Sequence, residues 1–187
     1  MFIKWIKCRV QASNRARFSA AQEKWNELES ILGFLMQAGG WNEADANEAC
    51  ILAVWENKQA YDHFMREAHD AIYERSKQKG TFKELSISAF TVKPLSSSIF
   101  SEIQRFIPNS KYMVVGRAMT SMDPTDAVNV IRGEINDQLI ESVVFNTDQD
   151  NYVIVFLSEK FDNRLKEIFM DYTIVKLQLS WSVLREN

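Results

Sequence analysis

The chain writes one order of segments twice: strand, helix, strand, strand, helix, strand. Few folds accommodate that order. "MFIKWIKCRV" alternates and is rich in aromatic and β-branched residues, as a strand is. Phe18, Ala21, Trp25, Leu28 and Leu32 then recur at three- and four-residue spacing, which predicts one amphipathic helix ended by Gly33. "GFLMQAGGW" and "ACILAVW" read as two strands joined by the polar turn "NEADANE". Asn57 is the expected N-cap of a second helix reaching about Lys77, and "FKELSISAFTVK" is the fourth strand.

Past Pro94, the run "PLSSSIFSEIQRFIPNS" places Ile99, Ile103, Phe106 and Ile107 on a short connector helix. The order then restarts. "KYMVVGRAMT" is a strand, Asp123 and Pro124 open a helix, "ESVVFNTDQDNYVIVFLS" holds two strands, Phe161 to Tyr172 make a helix, and "IVKLQLSWSVL" closes with strict alternation. The two halves share this pattern and scarcely any sequence. The expected organisation is a domain at 1–93, a connector at 94–110 and a second, degenerate domain at 111–187. In each half, two helices can cover only one face of a four-stranded antiparallel sheet, so the other face needs a partner. The simplest solution packs the two sheets on each other as a barrel within one chain.

Composition excludes several functions. With 22 Lys and Arg against 25 Asp and Glu, the formal net charge is -3, and the basic residues are interspersed with acidic ones. Such a surface has no electrostatic footprint for nucleic acid. No apolar run approaches membrane-spanning length, and the basic residues of "MFIKWIKCRV" interrupt any signal-peptide core, so no membrane partner and a cytoplasmic location are expected. Cys8 and Cys50 lack CxxC or histidine spacing, which predicts reduced, buried thiols and no metal site. Nucleotide-binding, P-loop, hydrolase-elbow and zincin motifs are absent.

The stretch "ILAVWENKQAYDHFM" resembles the third strand and second helix of the antibiotic biosynthesis monooxygenase superfamily: an apolar strand ending in tryptophan, an acidic turn, then a helix with an aromatic at this spacing. The whole first half, from "MFIKWIKC" through "GFLMQAGGW" to "ELSISAF", is similar to the uncharacterised YdbC-like group within it. The resemblance implies an α+β fold of tandem ferredoxin-like βαββαβ units, with the second half replacing the partner subunit that completes a dimeric barrel. A monomer with an internal pseudo-dimer is therefore expected. Activities in that superfamily include cofactor-free oxidation of aromatic polyketides and oxidative haem breakdown. The haem-degrading branch implies an asparagine, a tryptophan and a histidine at positions that fall here near Lys7, on Phe64 and on Glu74. All three are changed, which disfavours haem degradation by that route.

The expected function is cofactor-free oxidation of a flat hydrophobic or aromatic small molecule, with no cofactor and no metal. The alternative is non-catalytic binding or sensing of such a molecule, and the less favoured one is haem degradation with altered ligands. Trp5, Gln37, Trp41 and Phe64 are the candidate substrate-binding residues. Lys7, on the strand side with Ile3, Trp5 and Arg9, is a candidate cation for a developing enolate or phenolate. On a continuous helix, His63 points roughly 135° and His69 roughly 105° from the apolar direction. His63 is thus expected in solvent, and His69, at the helix flank, in a structural or surface role or else at a pocket rim, where a near-neutral imidazole could serve as acid or base. Gly39 and Gly40 inside a strand suggest a bulge.

Overall fold

In a computed structural model, the described residues are 1–94, 104–119, 139–147, 151–160 and 171–185. The chain is α+β with antiparallel strands, and it divides into two compact units: Met1–Thr91 with Gln178–Asn187, and Val92–Leu177. The helix expected from Asp123, most of the connector and residues 161–170 of the helix expected from Phe161 lie outside the described residues, while Asp171 and Tyr172, expected at that helix's end, open a strand instead.

In the first unit, β1 (Phe2–Arg9) pairs with β3 (Glu48–Trp55) on one side and with β4 (Glu84–Pro94) on the other. Beyond β3 lie β2 (Phe34–Asn42) and the short β9 (Val183–Leu184). The strand order is β4-β1-β3-β2-β9, every pairing antiparallel. Phe2, Lys4, Ile6 and Cys8 occupy one face of β1, and Ile3, Trp5, Lys7 and Arg9 the other.

The helical layer departs from simple periodicity in two places. α1 (Arg15–Gln22) passes into a 3-10 segment, Glu23–Ser30, where one continuous helix was expected. At three residues per turn, Trp25 and Leu28 align on one face, and both are buried. Leu32 completes the α-helical period on paper but is 74% exposed. The second helix divides into α2 (Lys58–Glu67) and α3 (His69–Ser76) at Ala68, whose φ of -131° leaves the helical region. Asn57 caps α2 as expected, accepting from the Ala60 amide at 2.8 Å.

Among the described residues, two apolar clusters hold the helices on the sheet. One gathers Phe2, Trp25, Leu28, Phe34, Trp55, Phe64, Ile72 and Val183, and the other Cys8, Val10, Phe18, Trp41, Ala49, Ile51 and Trp181. Trp181 comes from the far end of the sequence. The alternation of "IVKLQLSWSVL" predicts one strand, yet β8 (Asp171–Leu177) stops at Leu177 and a 3-10 turn, Leu179–Trp181, delivers the indole to the first unit. Its contacts with Phe18 and Trp41 supply the driving force for that turn.

Gly39 is explained by close approach. The register shift in β2 lies between Phe34 and Met36, and Gly39 pairs regularly with Ile51. A Cβ at Gly39 would stand 2.7 Å from the Cys50 carbonyl oxygen.

In the second unit, β5 (Tyr112–Met119) pairs with both β7 (Asn151–Ser158) and β8, and β7 pairs with β6 (Leu139–Thr147). The order β8-β5-β7-β6 places the fourth, first, third and second strands side by side, as β4-β1-β3-β2 does in the first unit. Val92–Pro94, the end of β4, pairs with Phe145–Thr147.

Candidate functional site

Between the two apolar clusters of the first unit lies a cavity of about 330 Å³. Its floor comes from alternate residues of the sheet: Lys4, Ile6 and Cys8 of β1, Ile51, Ala53 and Trp55 of β3, and Gln37 of β2. Helical residues including Gln22, Trp25, Phe64 and His69 close over them. Most of the lining is apolar or aromatic, so the few polar atoms define the chemistry.

The cation is Lys4. It is only 9% exposed, its Nζ donates to Tyr61 Oη at 2.9 Å, and the ammonium lies 4.7 Å from the Tyr61 ring centroid. Burying an ammonium is costly without such partners, and a phenol gives it both an oxygen and a π face. Lys7, the cation singled out in the sequence, lies on the opposite face of β1 and outside the cavity, 3.4 Å from Glu48 Oε1. Trp5 shares that opposite face, so the side of β1 expected to meet a ligand does not line this cavity. Strand alternation distinguishes two faces without saying which one the helices cover.

Trp41 is on the cavity's side of β2 but packs against Phe18 and Trp181 and does not line it. Gln37 and Phe64 do line it, and the Phe64 ring stacks on Trp55 at 4.8 Å. Trp55 is core and cavity wall at once. His63 is exposed, as expected from its angle on the helix.

His69 enters the cavity wall because the helix breaks immediately before it. The break at Ala68 resets the angular relation between α2 and α3, so an angle taken from one continuous helix does not apply to this imidazole. Its ring lies among Trp25, Phe64 and Tyr73, and Nδ1 is 2.8 Å from Asp70 Oδ1. With Nδ1–H donating to that carboxylate, a neutral imidazole keeps its lone pair on Nε2 and can accept a proton there.

Gln22 and Gln78 were missed by sequence reading. Both are buried, and Gln78 links Trp25 to Gln22: the indole Nε1 donates to Gln78 Oε1 at 3.1 Å, and Gln78 Nε2 donates to Gln22 Oε1 at 2.9 Å. Gln37 Nε2 donates to the Trp181 carbonyl at 3.3 Å. Cys8 is on the wall but inert near neutrality, since burial, aided by Glu48, pushes its thiol up to about 12. Cys50 faces away from it across the sheet, with its thiol also raised by burial. Among the described residues, no cluster of three His, Cys, Asp or Glu side chains could hold a metal ion. No described helix is long and apolar enough to cross a membrane.

Comparison with known proteins places the cavity-bearing half in a family. In solved structures the whole chain resembles a protein described as a "putative monooxygenase" from Lactobacillus acidophilus NCFM, with a TM-score of 0.61 and 10% identity over 98% of this chain and 96% of that one. It also resembles a haem-binding protein of Thermus thermophilus, with a TM-score of 0.54 and 14% identity over 94% of this chain and 90% of that one. A chlorite dismutase from Candidatus Nitrospira defluvii gives 0.52 and 10%, over 94% and 90%. Identities this low establish a shared ferredoxin-like α+β fold. The sequence relationship is closer to uncharacterised protein YdbC of Bacillus subtilis (strain 168), 42% identical over 92 residues that make up 48% of this chain and 77% of that one. The profile of a domain of unknown function, DUF4937, matches residues 2–90, and the chain therefore belongs, through its first half, to the family of YdbC.

Proposed function

We propose that the cavity of the first unit binds a flat, largely apolar small molecule whose carbonyl becomes an enolate, and that the chain oxidises it with molecular oxygen and no cofactor. The observation that carries this reading is the buried Lys4 ammonium in a largely apolar cavity. There it is placed to stabilise an enolate or phenolate, and low surrounding polarity makes the interaction strong. His69 Nε2 takes the proton from an activated ring methylene, leaving the enolate oxygen beside Lys4. The enolate passes an electron to O2, a C–O bond forms at the former methylene, and the hydroperoxide loses water. Overall, CH2 and O2 become C=O and H2O, with all four electrons supplied by the substrate.

A cavity of about 330 Å³ is at the lower end of small-molecule sites and suits a few fused rings better than a tetrapyrrole. The matching strand orders of the two units support the accompanying structural proposal, that tandem ferredoxin-like units form an intramolecular barrel in a monomer. Light scattering tests the monomer.

An oxygen electrode with anthrone as substrate tests the activity. One O2 consumed per anthraquinone formed, above the uncatalysed rate and slowed in Lys4→Met, supports the reading. Uptake equal to the protein-free control contradicts it. A haemin titration giving a saturable Soret shift, followed by loss of the band on reduction, would favour haem breakdown instead.

A further inference from the structure

We infer that the cavity selects a ligand bearing both a hydrogen-bond donor, met by Gln37, and a carbonyl-type acceptor, met by Gln22. This rests on the reading of the cavity as a small-molecule site and narrows its substrate class to flat hydroxy-carbonyl ring systems.

The polarity of both amides is dictated by their partners. An indole N–H can only donate, so the Gln78 atom facing Trp25 is its oxygen. The Gln78 nitrogen then donates to Gln22, which must present its own oxygen there. Gln78 is held independently, since its backbone amide bonds to Ser76 Oγ and its carbonyl accepts from both the amide and hydroxyl of Thr81. Gln22 is left with an NH2 that has no acceptor in the described protein. At Gln37 the partner is a backbone carbonyl, which can only accept, so the amide nitrogen is committed and Oε1 is left over.

Gln22 is 3% and Gln37 4% exposed, and both line the cavity. Neither leftover atom is sealed in protein, because among the described residues the buried side-chain atoms without a partner are Trp181 Nε1 and Ser182 Oγ. The cavity therefore meets one fixed donor and one fixed acceptor in an apolar surround. In the free protein, water can satisfy both. A ligand that expels that water must replace its hydrogen bonds or lose affinity. A hydrocarbon of the right shape replaces neither, and a simple phenol or ketone only one.

The test uses three flat bicyclic probes on the full chain, titrated by calorimetry at a pH where the hydroxyls are neutral. 7-Hydroxycoumarin has donor and carbonyl, coumarin lacks the donor, and 2-naphthol lacks the carbonyl. We expect 7-hydroxycoumarin to bind about tenfold tighter than either, against the order of their hydrophobicity. Gln37→Met should bring 7-hydroxycoumarin down to the affinity of coumarin, and Gln22→Met to that of 2-naphthol. Equal binding of all three to the unsubstituted protein overturns the inference and leaves a less selective small-molecule site. Failure of all three to bind overturns both. Because the probe comparison is made on the natural chain, a variant that does not fold cannot mask the result.

Discussion

The Lys4 ammonium on the first strand donates to the Tyr61 hydroxyl on the second helix at 2.9 Å, tying the sheet to its helical cover across the cavity. Tyr61→Phe keeps the ring beneath the cation but removes the oxygen, leaving a buried ammonium short of an acceptor. Urea denaturation should show a loss of about 1–3 kcal/mol. Lys4→Met removes the charge and fills the same space, so stability should change by less than about 1.5 kcal/mol. Oxygen uptake, by contrast, should fall about a hundredfold.

Cys8 makes stability sensitive to alkali. An unfolded thiol titrates near its ordinary value of 9.0, whereas the folded one is held up to about 12. Between those values the unfolded chain releases a proton that the native chain keeps, so stability is fully present below about pH 9 and is lost as pH rises towards 12. Urea midpoints across that window should fall with pH, and less steeply in Cys8→Ala. Iodoacetamide at pH 8 should leave Cys8 unmodified in the native protein and label it in urea.

Gly39→Ala should destabilise the first unit by about 1–3 kcal/mol, because the new methyl group meets a backbone oxygen that has no rotamer to move into. Thermal melting of the variant checks this. An unchanged melting temperature would mean that β2 and β3 have more freedom to separate than their close approach implies.

Trp181 fastens the C-terminal segment to the first unit. It is fully buried, with ring centroids 5.6 Å from Phe18 and 5.4 Å from Trp41. Trp181→Ala should cost about 3–5 kcal/mol. Its indole nitrogen has no hydrogen-bond partner among the described residues, so Trp181→Phe should lose packing without losing a hydrogen bond and cost roughly half as much. Chemical denaturation of both variants separates the two contributions.

The strands of the first unit were legible because each apolar run is bounded by turn residues, and Asn57 marks its helix start by the side-chain bond it makes. The facing of β1 was not legible. Phe2 and Cys8 on one side, Ile3 and Trp5 on the other, are all buried, and each face carries a lysine, so alternation offers Lys4 and Lys7 on equal terms. The break before His69 was not legible, because "REAHDA" contains no Gly or Pro to announce it, and the angle drawn for a continuous helix does not survive Ala68. Gln22 reads as a solvated helix end until the fold brings Gln78 beside it, 56 residues away in sequence. In "LQLSWSV" perfect alternation misled, because the turn that buries Trp181 also places alternate residues on opposite sides.

If the space between helices and sheet is a ligand site, filling it abolishes binding. Ala53 lies on the cavity floor and is 6% exposed, so Ala53→Phe projects a ring into the space a ligand would occupy. The wild type and this variant, both shown folded by thermal melting, would be titrated with 7-hydroxycoumarin while the fluorescence of Trp25 and Trp55 is followed. Saturable one-to-one quenching is expected in the wild type, and its loss in the variant. Equal quenching in both, or none in the wild type, would contradict it.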